Sequence, residues 1–403
     1  MRISPLQISS QEQAQKIMAS LGVASEGAKI MSPKVLRAAF KVEGINSWEA
    51  NIIKQHLLSL GTDAAIHRQA LLKKTKTSVL VFGSVSQLQK LCQKLKNQPF
   101  SLKKVSQDIS VYLNNILKEE FKLCARNKVL KIKKPLICGI VNITPDSFSK
   151  DGLLLAAKGK SIADLVLAKV EGLVKEGADM IDVGGESSRP FAKKVSEKEE
   201  IKRVVAAIKA IRKRFKKLLI SVDTYKYSVA KEAVNEGVDI INDISALRAA
   251  PQISSLIKRY KLGCVLMHMK GTPATMQINP KYKDLMGEIS DFFKERIKFC
   301  NDAGIDNKQI LLDPGIGFGK RVEDNLTIIN ELYKFKIFGL PIFLGLSRKS
   351  FIGKVLDLEV EERLVGTIAA SVVSLLRGAN ILRVHDAGQT KQAVRLVSQI
   401  VGN

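Results

Sequence analysis

GADMIDVGGESSRP (177–190), LLISVDTY (218–225) and NEGVDIINDIS (235–245) set the architecture, because each places a short β-branched run directly ahead of polar residues. Runs of this length read as strands buried on both faces, and the amphipathic segments between them are long enough for crossover helices. The same unit recurs to either side. Strand candidates lie at 136–142, 179–184, 218–223, 239–243, 263–269, 309–314, 341–346 and 380–386, and helical spacing follows each, as in SIADLVLAKVEGLVKEG with Gly177 as a stop. Eight βα units in about 270 residues match a closed (β/α)8 TIM barrel in size, whereas open doubly wound sheets more often have five to seven strands.

The chain has 403 residues, 45% of them hydrophobic and 26% charged, which excludes a disordered, collagen-like or single-module protein. Its net charge is +26, and residues 1–134 hold 23 Lys and Arg against 8 Asp and Glu. A Lys-rich segment, KEEFKLCARNKVLKIKKP (118–135), precedes the regular pattern, so the domain boundary is expected near residue 130: residues 1–130 as an N-terminal extension and 131–403 as the barrel. In the extension, VLRAAFKVEG and TKTSVLVFG read as strands and INSWEANIIKQHLLSLG and VSQLQKLCQKLK as helices, a small α+β domain with a basic surface. Five scattered cysteines suggest neither a disulfide framework nor a zinc site, and no signal or membrane-length apolar segment is present, so a cytoplasmic protein is expected.

Active sites of such barrels lie at the C-terminal strand ends, and polar residues are dense there: Asn142, Asp182, Asp223, Asn242 with Asp243, His268, Asp313, Ser347 to Lys349, and Arg383 to Asp386. Singly, Asp313-Pro314-Gly315 is a turn and Asn242-Asp243 a helix cap. At the ends of three strands, Asp223, Asn242 and Asp313 fit one site better than three coincident caps. Two buried carboxylates and an amide call for a donor-rich ligand such as a flat heterocycle with several N–H groups. Lys349 and Arg383 would add cationic donors, and Arg383 could stack on the ring. Arg189, Ser187, Ser188, Asn142 and the 144–149 loop could clamp a phosphate, with magnesium held by one Asn oxygen and substrate oxygens. DPGIGFGK is no P-loop, since Pro314 and Arg321 replace the required Gly and Ser or Thr. His268, at the end of an apolar strand, is expected to be structural.

GIVNITPDSFS (139–149), GADMIDVGGESSRP (177–190), ISVDTY (220–225), DIINDIS (239–245), LMHMKGTPATMQ (266–277), LLDPGIGFGK (311–320), LSRKSFIG (346–353) and RVHD (383–386) together resemble the dihydropteroate synthase family, in order and across residues 135–403. The resemblance implies a transferase of folate biosynthesis that joins 6-hydroxymethyl-7,8-dihydropterin pyrophosphate to 4-aminobenzoate, with sulfonamides as competitors. It implies that Asp223, Asn242, Asp313 and Lys349 hold the pterin, with Met267 beside it and Arg383 beneath. Asn142 would bind Mg2+, and Arg383 with His385 the β-phosphate. Phe318, Ser347, Ser188, Pro190 and Lys349 would surround aminobenzoate, with Arg189 and Asp146 on closing loops. A homodimer through barrel helices is also implied. Ser188, Lys150-Asp151-Gly152 and Leu346 depart from the usual pattern, which bears on loop closure and drug affinity. Two alternatives are a pterin-binding methyltransferase of the same fold, against which SRKS and RVHD argue, and a basic nucleic-acid-binding scaffold, for which no RNA-binding or helix-turn-helix signature is found.

Overall fold

The computed structural model describes residues 1–70, 75–144, 161–187 and 194–401. The chain forms two compact units, residues 1–118 with 337–339, and residues 119–336 with 340–403. In the first, β1 (Arg37–Asn46), β3 (Lys76–Ser84) and β2 (Ala64–Ile66) form an antiparallel sheet in the order β1-β3-β2. Helices Ser47–Leu58, Val85–Leu95 and Leu102–Ile116 contribute Ile53, Leu57, Leu88, Leu91 and Ile109 to a core with Val79 and Val81. The two helices and two longer strands expected from sequence are present. The three-residue β2 is too short to show an alternating pattern, and the helices Gln11–Ser20 and Ser25–Val35 bury only two residues each, which leaves little apolar periodicity to read.

The second unit opens with a hairpin, β4 (Phe121–Ala125) paired antiparallel to β5 (Lys128–Ile132). A boundary near 130 assigns most of this hairpin to the extension, but packing joins it to the barrel: Phe121, Leu123, Ala125 and Ile132 share a core with Cys138, Met180, Leu219, Ile240, Val265, Leu311, Phe343 and Ile381. The hairpin thus plugs the end of the barrel where the strands begin. Its lysines and arginine do not mark a linker. Lys128 Nζ lies 2.9 Å from Asp239 Oδ2, and Arg126 donates to the Val234 and Val238 carbonyls.

Eight parallel strands follow: β6 (Leu136–Asn142), β7 (Met180–Gly184), β8 (Leu219–Asp223), β9 (Ile240–Asp243), β10 (Gly263–Met267), β11 (Ile310–Asp313), β12 (Phe343–Gly345) and β13 (Ile381–Val384). Their order is β11-β10-β9-β8-β7-β6-β13-β12. A parallel bridge from Leu312 to Ile342, with the Leu312 N–H on the Pro341 carbonyl at 3.0 Å, brings β11 to β12 and closes the (β/α)8 barrel. Local signals set the helices between them. Ser161 and Asp164 form a capping box on Ile162–Lys175, which ends before Gly177 at φ +99°. Ser196 caps Glu197–Arg214, whose first turn is acidic and last turn basic, as the helix dipole favours.

Candidate active site

Strand parity assembles the mouth of the barrel. Met180, Leu219, Ile240, Val265, Leu311, Phe343 and Ile381 all face the interior, so two residues further along each strand the side chain faces inward again, one layer higher. Those positions are Asp182, Ser221, Asn242, Met267, Asp313, Gly345 and Arg383. By the same parity Asn142, Gly184 and Asp223 form the rim. Of the expected ring-binding residues, Asp223, Asn242, Met267, Asp313 and Arg383 therefore share one interior, and register sets Asp223 beside Asn242 and Met267 beside Asp313.

Arg383 ties these carboxylates together. Its Nε donates to Asp182 Oδ2 at 2.6 Å and its Nη2 to Asp223 Oδ2 at 2.8 Å, while Asn242 Nδ2 donates to the same Asp182 oxygen at 3.0 Å. Burial opposes the charge on Arg383, but Asp182 and Asp223 more than compensate and raise its pKa. Burial pushes Asp223 up to about 7 against the pull of Arg383, and Asp182 adds to the rise. Asp243, of opposite parity, accepts the Ser245 and Leu247 N–H groups and is a structural cap, so the bland and functional readings divide between neighbours.

Asp313 makes both readings true at once: its Oδ1 accepts the Gly315 N–H at 2.7 Å in an Asx turn, and it still faces inward. Burial raises its pKa, opposed by Lys349. Gly315 sits at φ +69°, where a Cβ would come 1.9 Å from the His268 carbonyl oxygen, so no other residue fits this turn. The Lys349 ammonium donates to the Ile316 carbonyl and lies 4.6 Å from the Phe318 ring centroid. Burial pulls it down to about 8, against Asp313. Phe318 packs with Ile244, Met267 and Met276.

On the far side Ser347 Oγ meets both the His385 N–H, at 3.3 Å, and Nδ1, at 3.1 Å. Burial, with Arg383 and Arg348 nearby, drives His385 down to about 3, so at neutral pH it is an uncharged ring that can offer one N–H. Arg348 is bidentate to Asp386 at 2.6 and 3.0 Å. Asn142 Oδ1 stands 3.2 Å from where a Cβ on Gly184 would lie and Asp223 Oδ2 3.9 Å from it, so the glycine keeps open a niche walled by two oxygens. Among the described residues no cluster of three or more His, Cys, Asp or Glu could by itself hold a metal ion. Asp146, Ser188, Arg189 and Pro190 lie outside the described residues. Beside this interior a cavity of about 470 Å³ opens over the loops after β7 to β10, with Asp223 and Met267 in its wall together with Tyr225, Ile244, Arg248 and Phe292.

Around the mouth, three buried ionic features among the described residues are given no role by the sequence reading. Asp182 is one. Lys320, 3% exposed, lies 3.0 Å from His268 Nδ1 and donates to the Phe318 carbonyl at 3.0 Å. Burial brings Lys320 to about 7 and holds His268 at about 2, so His268 is an uncharged ring beside the Lys320 amine. The third is Glu200, which accepts from Lys226 Nζ at 2.7 Å and Thr224 Oγ1 at 2.8 Å; Lys226 also donates to the Val195 carbonyl, whose own N–H reaches Glu186. Parity could have flagged Asp182, whereas the partners of Lys320 and Glu200 depend on loop conformations that spacing does not encode.

A closed parallel barrel whose C-terminal mouth gathers carboxylates, an amide and cations about one interior has the donor and acceptor set of an enzyme that holds a polar heterocycle. Residues 138–385 match the pterin binding enzyme family. The dihydropteroate synthase of Haemophilus influenzae is 43% identical over 275 residues, 68% of this chain and 97% of that one. A Yersinia pestis dihydropteroate synthase solved with a sulfonamide drug superposes with a TM-score of 0.65 at 39% identity, covering 70% of this chain and all of that one. The Xanthomonas albilineans enzyme solved with 4-aminobenzoic acid gives 0.64 at 37% identity, covering 70% of this chain and 99% of that one. The chain belongs to the pterin-binding enzymes and, within them, to the dihydropteroate synthase family.

Proposed function

We propose that this protein condenses 6-hydroxymethyl-7,8-dihydropterin pyrophosphate with 4-aminobenzoate to give 7,8-dihydropteroate and pyrophosphate. The observation that carries the reading is the convergence of Asp223, Asn242, Asp313 and Arg383 on one barrel interior, with Lys349 over the Phe318 ring beside it. Carboxylates accept the N–H groups of the pterin, and Lys349 and Arg383 supply donors for its carbonyl and ring nitrogens. In the reaction the methylene C–O bond to pyrophosphate breaks, a C–N bond to the arylamine forms, and the amine loses one proton. Carboxylate charge at Asp223 and Asp313 favours positive charge developing on the ring, and the Arg383 guanidinium stabilises negative charge accumulating on the leaving group. His385 contributes a neutral N–H there.

Asn142 fits a magnesium ion, since its amide oxygen borders the niche over Gly184 and magnesium takes the rest of its oxygen ligands from phosphates and water. Bound there, the ion would neutralise pyrophosphate charge. Phe318, Ser347 and Lys349 form the inner wall of the aminobenzoate place; the parts expected of Ser188, Pro190, Arg189 and Asp146 fall outside the described residues. Sulfonamides compete for that place.

The enzyme acts as a homodimer. The helix Leu364–Leu376 buries Thr367, Ser371 and Ser374 and turns Val365, Val373 and Leu376 outward, with Val365 76% exposed. A helix that faces its hydroxyls inward and its valines outward needs a second apolar surface, and two copies of one patch satisfy each other about a twofold axis. No helix among the described residues is long and apolar enough to cross a membrane. The five free cysteines suit a reducing cytoplasm. Residues 1–118, ahead of the hairpin that plugs the barrel, form the extension, and no second activity is assigned to it. Incubation with both substrates and magnesium tests the reading: pyrophosphate and dihydropteroate should appear in equal amounts, and absence of pyrophosphate release would refute it.

A further inference from the structure

We propose that Asp182 is the positioning residue of the ring pocket: it touches no substrate, but fixes which way Asn242 and Arg383 present their hydrogen-bonding atoms. This rests on the pterin-binding reading of the site.

Asp182 is wholly buried in β7, and all its contacts converge on one oxygen. Oδ2 accepts Arg383 Nε at 2.6 Å and Asn242 Nδ2 at 3.0 Å, whereas Oδ1 has no hydrogen-bond partner, nor has Ser221 Oγ on the facing strand position. The two donors come from β13 and β9, on either side of β7 in the ring of strands. A side-chain amide can point either end at a ligand. With Nδ2 committed to a buried anion, Asn242 can turn only Oδ1 toward the pocket, so it acts as an acceptor and selects a ring edge that carries an N–H. The same anion holds the guanidinium by Nε, leaving Nη2 for Asp223 and the plane of the group fixed across the pocket floor. One buried carboxylate thereby sets the polarity of two groups that line the pocket.

The test compares wild type with Asp182→Asn, which keeps the shape and removes the charge and one acceptor. The KM for the pterin substrate should rise about 10- to 100-fold, as losses of orienting partners do, with the KM for aminobenzoate within about twofold of wild type. Quenching of 6-hydroxymethylpterin fluorescence reads the same loss at equilibrium, without turnover. Because Asp182 acts in part through Asn242 and otherwise through Arg383, the double variant of D182N and Asn242→Ala should lose less than the product of the two single losses. An unaltered pterin affinity in D182N, an equal rise in both KM values, or multiplicative losses would overturn the proposal. Should D182N fail to fold, Asp182→Glu keeps the charge and displaces it; the same selective rise in pterin KM is expected, and a wild-type value would overturn it. If wild type binds the pterin but releases no pyrophosphate, the reaction is misassigned while the binding comparison still decides the role of Asp182.

Discussion

Replacing Lys349 with methionine should make the protein more stable and nearly inactive, and the two effects have one cause. Burial lowers the lysine from 10.5 to about 8. Below pH 8 the native state must carry a charge that the unfolded chain carries freely, so the penalty is complete there and fades between pH 8 and 10.5, where the unfolded chain binds more protons. At about 1.4 kcal/mol per pH unit the ceiling is roughly 3 kcal/mol. Lys349 is partly buried and keeps its bond to the Ile316 carbonyl, so about 1–2 kcal/mol is the expected gain, a rise of roughly 2–8 °C in the Tm of the barrel at pH 7. Methionine fills the same space beside Phe318. Activity moves the other way. Losing one charge-assisted hydrogen bond to the ring removes about 1.5–3 kcal/mol, or roughly 10- to 150-fold in kcat/KM for the pterin substrate. Calorimetry and steady-state kinetics on one preparation measure both. A variant that melts below wild type while keeping most of its kcat/KM would refute the reasoning.

The pH dependence of kcat/KM should be a narrow bell. It should rise through about 7, as Asp223 ionises and can accept a ring N–H, and fall through about 8, as Lys349 loses its proton; a flat profile from 6 to 9 would contradict both assignments. Asp223→Ala should cut turnover by orders of magnitude while circular dichroism stays native, and wild-type turnover would remove Asp223 from the site. Gly315→Ala forces a Cβ onto the His268 carbonyl at φ +69°; thermal unfolding should show a loss of about 1–3 kcal/mol, and an unshifted Tm would mean the turn is not so confined. Val365→Glu on the outward valine face should yield monomers in sedimentation, whereas an unaltered mass would place the subunit contact elsewhere.

The barrel was legible because its signal repeats. All eight runs read as strands are strands, and each differs from the observed bounds by at most a few residues at its ends. Parity then carries Asp223, Asn242 and Asp313 inward without knowledge of contacts. What parity could not supply is which oxygen of Asp182 bonds to which donor, or that Lys320 lies buried against His268, since those depend on side-chain torsions and on loops with positive-φ glycines. The hairpin Phe121–Ile132 was obscured for a related reason. Its lysines dominate the composition, while Phe121, Leu123, Ala125 and Ile132, which seat it in the barrel, are only four residues.

The most direct test is a crystal structure with the pterin pyrophosphate bound. The account predicts the bicyclic ring within the barrel mouth, its N–H groups on Asp223, Asp313 and Asn242 Oδ1, and its pyrophosphate toward Asn142 and His385. A ring seated in the adjoining cavity against Phe292 and Arg248, with Asp313 and Asn242 untouched, would contradict it.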